Sequence, residues 1–258
     1  MKQLICLLVL TGFLSCVREI TNQPDTSPSF VLKSIVIHGL PSPYYHFAYS
    51  PNGRPPGFAH ERDIYQYRVQ YEAGRVFRVI DTATLSRDTL TYHYNENLVN
   101  WIDIANARER KVRHVLLEYD QQTRLTRVRW IDDGSGEEKK RLVLRYTGNN
   151  MTALELFVSV SGTLISLSAY SYLQFDDKEN PFPNSMLKDD HFLFLPGVRL
   201  QVNNPVSYVI TGVSNDFRVT DTYNYQGAVP VTKTSVMEQT RGPETGKRVT
   251  SITEYNYY

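Results

Sequence analysis

The 258-residue chain is 41% hydrophobic and carries 28 basic against 27 acidic residues, so it is long enough to bury a substantial core and nearly neutral. That balance gives no electrostatic footprint for nucleic acid or for an anionic lipid surface. The two cysteines, Cys6 and Cys16, both lie near the N-terminus. The rest of the chain has no thiol for a disulfide, a metal or a nucleophile, and no cofactor is expected.

The chain opens with a short basic start at Met1-Lys2-Gln3. An apolar run from Leu4 to Leu14 follows, too short to span a bilayer as a stable anchor. It ends in Phe13-Leu14-Ser15-Cys16, which resembles a bacterial lipobox, with Leu and a small residue immediately before a cysteine. The resemblance implies that residues 1–15 are a removed signal peptide and that Cys16 carries lipid on its thiol and its new amine. Removal of 1–15 deletes only Lys2 and leaves 27 basic against 27 acidic residues. Residues 16–29 are polar and proline-spaced and read as a lipidated tether to a single β domain over 30–258. Only Glu19 is acidic just after the cysteine, so the sequence leaves both faces of the membrane open.

The domain begins with a predicted strand at Phe30 to Ile37, ended by His38-Gly39-Leu40-Pro41. From there one pattern recurs: a strand closing on an aromatic residue, a short polar turn, and a return strand. Leu117-Glu118-Tyr119-Asp120-Gln121-Gln122-Thr123-Arg124-Leu125 is its clearest copy. Tyr49, Tyr71, Tyr94, Tyr119, Tyr146 and Tyr172 are spaced 22, 23, 25, 27 and 26 residues apart, as repeated two-stranded units would be. Tyr65, Tyr67, Val69 and Tyr71 alternate with Gln66, Arg68 and Gln70, and Leu142, Leu144 and Tyr146 alternate with Arg141 and Arg145. Period-two alternation with a charged opposite face predicts strands with one dry side and one wet side. Connections this short force antiparallel neighbours.

The expected fold is therefore all-β. It is an elongated antiparallel meander of repeated hairpins forming a large twisted sheet, with on the order of 14 strands, more than an open sheet usually carries without curling. Residues 176–206 break the pattern, with Pro181 and Pro183 ending a strand. Here Ser185 is placed to cap one short helix or helical turn near 185–195, carrying Phe192, Leu193, Phe194 and Leu195. This segment should pack on the apolar face of the sheet, and any activity is expected there rather than in the repeat. Strands resume over 207–213, 217–225, 231–239 and 248–257, with Arg241-Gly242-Pro243-Glu244-Thr245-Gly246 as a late hairpin turn.

The Tyr-Asp-x-x-x-Arg-Leu hairpin at Tyr119 resembles the tyrosine-aspartate repeats of Rhs-type proteins. Asp176-Asp177-Lys178-Glu179-Asn180-Pro181-Phe182 with Asn203-Asn204-Pro205 resembles a signature of uncharacterised Bacteroidota lipoproteins. The resemblance implies an elongated antiparallel sheet on a lipid-anchored outer-membrane protein, and it brings no catalytic residue with it.

Catalytic constellations are not found. The six histidines, His38, His46, His60, His93, His114 and His191, are scattered without metal-ligand spacing. Asp132-Asp133 stands where a hairpin turn is needed and lacks the alternating ligands of a calcium loop. Asp176-Asp177 and Asp189-Asp190 are the other paired acids, and Gly134-Ser135-Gly136 is too short for a nucleophile elbow. Asp81-Thr82-Ala83 and Asp88-Thr89-Leu90 resemble an O-glycosylation triplet of Bacteroidota envelope proteins. The tyrosine stripe (Tyr65, Tyr67, Tyr71, Tyr92, Tyr94, Tyr119, Tyr146) reads first as packing and second as a platform for sugars or a partner.

The expectation is a non-enzymatic cell-envelope lipoprotein, attached to the membrane through its lipid and acting as a binding or scaffold module for a glycan or an envelope protein. The alternative is a polymer-degrading hydrolase drawing carboxylates from separate hairpins. A transmembrane barrel suits the alternation but not charges such as Arg124, Arg127 and Arg129 on both strand faces.

Overall fold

The computed structural model describes residues 31–49, 57–60, 65–83, 87–182, 186–188 and 192–258. Cys16 and the stretches expected to be signal peptide and tether lie outside the described residues.

The chain forms β1 (Leu32–Ile37), β2 (Tyr45–Ala48), β3 (Gly57–His60), β4 (Tyr65–Glu72), β5 (Arg75–Asp81) and β6 (Thr89–Asn95). Next come β7 (Leu98–Ala105), β8 (Lys111–Tyr119), β9 (Leu125–Asp132), β10 (Glu138–Thr147), β11 (Asn150–Val160) and β12 (Thr163–Glu179). A small hairpin follows, β13 (Met186–Lys188) with β14 (Phe192–Phe194). The chain ends in β15 (Asn203–Gly212), β16 (Asp216–Gln226), β17 (Val229–Arg241) and β18 (Arg248–Tyr257).

The expected antiparallel meander is what the chain builds, each strand pairing with the next apart from the β13–β14 excursion. Its ends meet. β1 pairs with β18 from Leu32↔Tyr257 to Ile37↔Thr253, and with β2 at Ser34↔His46 and Ile35↔Tyr45, so the ladders run round as a closed barrel. Closure removes the exposed edges that so long a meander would otherwise present.

The repeat has a physical basis in the turns. In the β8–β9 hairpin Thr123 adopts a left-handed φ of 60°, which costs an ordinary residue energy. Asp120 offsets that cost: its Oδ1 accepts the backbone N–H of Gln122 at 2.9 Å and of Arg124 at 3.0 Å, while Arg124 Nε donates to Oδ2 at 2.8 Å. Arg124 also donates to the Gly148 carbonyl at 2.9 Å and lies 5.1 Å over the Tyr146 ring, coupling one hairpin to the next.

Tyrosine makes the same kind of link in the opposite direction. The Tyr94 hydroxyl donates to the Val76 carbonyl at 2.9 Å and the Tyr119 hydroxyl to the Val99 carbonyl at 2.8 Å, each on the strand leaving the preceding turn. At these two positions the recurring Tyr is thus a strut between neighbouring hairpins. Tyr119→Phe keeps the ring and leaves a part-buried carbonyl without its donor, so it should cost about 1 kcal/mol. Urea denaturation of the two proteins reads that difference directly.

Alternation is as expected. Tyr67 and Val69 are buried while Gln66 and Arg68 are exposed, and Leu142 and Leu144 are buried beside exposed Arg145. The buried sides of β1, β2 and β4 to β11 contribute to one apolar cluster inside the barrel, with Trp130, Phe47, Leu90, Ile102 and Ile104 among its largest members.

The segment after β12 fills that interior. Leu187, Leu193, Phe194, Leu195, Val198 and Leu200 are buried in the same cluster, and the Phe194 N–H donates to the Tyr92 hydroxyl oxygen at 3.1 Å. Phe182 packs edge-on against Tyr45 and Phe47. The helix expected near 185–195 is not there. Met186↔Phe194, Leu187↔Leu193 and Lys188↔Phe192 pair as a two-stranded hairpin, and the described residues contain no helix. The physical reason is burial on every side: Leu193, Phe194 and Leu195 are consecutive and all buried, whereas a surface helix buries one stripe. Ser185, the expected cap, lies outside the described residues.

The Asn-Pro-Phe block and Asn203-Asn204 form the clasp that closes this plug. Asn180 Oδ1 accepts the Phe182 N–H at 3.0 Å, and the Asn180 N–H donates to the Val202 carbonyl at 2.8 Å. Asn150 Oδ1 accepts the N–H groups of Val202 at 2.9 Å and Asn203 at 3.0 Å. Asp176 accepts from the backbone of Lys178 and Asn204 and from the Tyr225 hydroxyl.

Candidate functional site

The wall of β12 and β15 to β18 differs chemically from the rest: its inward side carries tyrosines, some of which pack against the apolar cluster, together with polar and charged residues. Along β16, Phe217, Val219, Asp221, Tyr223 and Tyr225 are the more buried residues and alternate with exposed Arg218, Thr220, Thr222, Asn224 and Gln226. The register aligns Val219 with Tyr208 and Met237, Asp221 with Ser235, and Tyr223 with Lys233. On β18, Ser251 stands opposite Ser235 and Thr253 opposite Lys233, with Tyr255 and Tyr257 beyond. Tyr170 and Tyr172 extend the same face on β12, Tyr172 lying 5.4 Å from Tyr208 between ring centroids.

Asp221 stands out in this wall. It is 4% exposed, neither carboxylate oxygen accepts a hydrogen bond from the described residues, and Lys233 Nζ lies 3.4 Å from Oδ2. Burial raises the phenol pKa values of Tyr172, Tyr208, Tyr223 and Tyr255, and the Asp221 charge adds to all four shifts. Tyr172 is pushed up to about 12, against a hydrogen bond with Gln201 that works the other way.

At one end the same face opens into a cavity of about 250 Å³ lined by Phe217, Met237, Gln239 and Val249 of the strands and by Pro243, Glu244 and Lys247 of the β17–β18 turn. The cavity and Asp221 lie four residues apart on one face of β16, roughly 13 Å along the strand. Val160, Ile165 and Val213, in and beside the neighbouring hairpin ends, are exposed apolar residues.

The raised tyrosines set an alkaline limit. Tyr94 is also pushed up to about 12 by burial, with Arg75 and its bond to Val76 opposing the rise. In the unfolded chain these phenols titrate near 10, so folding favours the neutral form, and its contribution is intact below about pH 10. It is lost as pH climbs from about 10 towards 12. Urea midpoints measured from pH 8 to 11.5 should hold steady to about 9.5 and then fall; a midpoint unchanged at pH 11.5 would refute this.

The other sequence candidates fall elsewhere. Asp132 Oδ1 accepts from the Ser135 backbone and hydroxyl, both at 2.8 Å, so this acidic pair builds the expected turn. Asp133 instead pairs with Lys111 at 3.4 Å. His93 stacks on Trp101 at 4.4 Å and bonds Asp103 at 2.9 Å, and His38 bonds Glu254, on separate parts of the wall. Among the described residues no group of three or more His, Cys, Asp or Glu is placed to hold a metal. Thr82 is exposed after β5, Thr89 is half-buried in β6, and Asp189, Asp190 and His191 lie outside the described residues. Within the pattern break, Asp176 is tied into the clasp. Sequence reasoning passed over Asp221, and the only signal for it was an acid at a position whose alternation calls for an apolar side chain.

The chain's shape has solved counterparts. A porin-like protein from Bacteroides uniformis ATCC 8492 superposes with a TM-score of 0.56 at 13% identity, over 83% of this chain and 90% of that one. A second, from Bacteroides vulgatus ATCC 8482, gives 0.54 at 11% identity over 88% and 99%. At these identities the likeness is one of fold. No family model and no curated protein matches the sequence.

Proposed function

We propose that this chain is a non-enzymatic, lipid-anchored module of the cell envelope that binds a ligand in the tyrosine-lined part of its barrel interior. The observation that carries the reading is the makeup of the wall of β12 and β15 to β18: beside rings such as Tyr172, Tyr255 and Tyr257, which pack against the apolar cluster, it carries hydroxyls and a buried charge. A concave wall of this composition suits a small molecule or a glycan chain better than a flat protein surface. The porin-like fold neighbours from Bacteroides support an envelope setting, as does the lipobox at Cys16.

The outer surface supports a barrel that stands in water. Arg127, Arg129 and Arg141 face outward with Glu118 and Glu138, joined by ion pairs of 2.6–2.8 Å. At the midplane of a bilayer each such cation would cost about 2–4 kcal/mol.

Radiolabelled palmitate should be incorporated by the full chain and not by Cys16→Ala, which should leave the membrane fraction. For binding, full-length protein is screened on a glycan array and in pull-downs from envelope extracts. Tyr208→Ala should abolish the signal, and Trp101→Ala, on the outer wall, should leave it unchanged. Binding lost with Trp101 and kept without Tyr208 would overturn the interior site.

A further inference from the structure

We infer that Asp221 and Lys233 together read a neutral, hydroxyl-rich ligand, a saccharide presenting two adjacent hydroxyl groups to them. This rests on the interior site proposed above and names its chemistry.

A carboxylate can accept about four hydrogen bonds, and one buried without any is costly. Asp221 is buried and, among the described residues, accepts none and has one cation, Lys233, at 3.4 Å. Three tyrosine hydroxyls in the same wall are committed elsewhere. Tyr223 donates to the Pro205 carbonyl at 3.1 Å, Tyr257 to the Pro230 carbonyl at 2.8 Å, and Tyr225 to Asp176. An acid kept only for stability would be expected to draw at least one of these donors.

Its rung of the sheet is small and polar. Asp221, Ser235 and Ser251 lie side by side on three strands, and the next rung holds Tyr223, Lys233 and Thr253. Two serines beside the acid leave room that a leucine or phenylalanine would fill. Lys233, its side chain a fifth exposed, is the open member of the pair.

The charges decide the ligand class. Asp221 and Lys233 sum to zero, so a lone ammonium group would meet Lys233 and a lone carboxylate or sulfate would meet Asp221. Adjacent neutral hydroxyls satisfy both, one donating to the carboxylate and the other accepting from the ammonium, while tyrosine rings stack on the C–H faces of the sugar.

The test applies full-length protein, in detergent, to an array of neutral, amine-bearing and acid-bearing oligosaccharides. Neutral glycans should bind, and Asp221→Asn and Lys233→Met should each weaken that binding at least tenfold. Either change leaves one buried charge alone, so the double variant Asp221→Asn/Lys233→Met, which removes both, is included with a melting curve. It should stay folded and remain a non-binder. Preference for amine-bearing or acid-bearing glycans, an array without binders, or neutral binding retained in a folded double variant would each overturn the inference. If the preferred ligand is charged yet lost in Tyr208→Ala, the interior site stands and the sugar chemistry falls. If neutral binding survives both Tyr208→Ala and the double variant, the two fall together.

Discussion

Leu195→Ala should destabilise the barrel by about 2–5 kcal/mol, the range for removing a fully buried leucine that leaves a cavity. Leu195 is 0% exposed and belongs to the plug, and so is Leu193 two residues earlier. The cost should fall in the upper half of the range, because the closed ladder around the plug resists collapsing into the space left. Urea denaturation should show a lowered midpoint at similar slope. Leu173→Ala, at a side chain 64% exposed, is the matched control and should change stability by less than about 0.5 kcal/mol. Equal effects at the two sites would show that the plug does not hold the barrel.

Asp176→Ala should be the next most damaging change, at about 2–4 kcal/mol, since it leaves several donors unsatisfied at once. The carboxylate accepts the Lys178 N–H at 3.0 Å, the Asn204 N–H at 3.2 Å and the Tyr225 hydroxyl, and Asn204 is 1% exposed. These bonds hold the start of β15 against the end of β12, where the plug leaves and rejoins the sheet. Hydrogen exchange should report faster opening of residues 176–206 in this variant. Unchanged protection there would separate the clasp from the plug.

Much of the wall was legible in the sequence. Alternation such as Tyr67 and Val69 against Gln66 and Arg68 is a local code, because successive strand side chains point to opposite faces. The hairpin at Tyr119–Leu125 was legible for a similar reason: an Asp able to bond its own backbone two and four residues on fixes the turn without help from distant residues. The plug was legible as a break in pattern but not in form. Four apolar residues in a row, Phe192 to Leu195, satisfy a buried helix and a buried extended segment alike. Only the pairing of Met186 with Phe194 inside a closed wall selects the second.

By itself, then, the sequence determined the antiparallel strands of the wall, their meander order and the segregation of wet and dry faces, all of which depend on neighbours within about one repeat. The tertiary structure decided three further matters. β1 joins β18, a register between Leu32 and Tyr257 that no local signal encodes. The plug enters within the apolar cluster. And Asp221, one of 27 acids in the sequence, becomes the one set in a tyrosine wall beside Lys233, because burial and pairing are properties of the closed barrel and not of the strand that carries it.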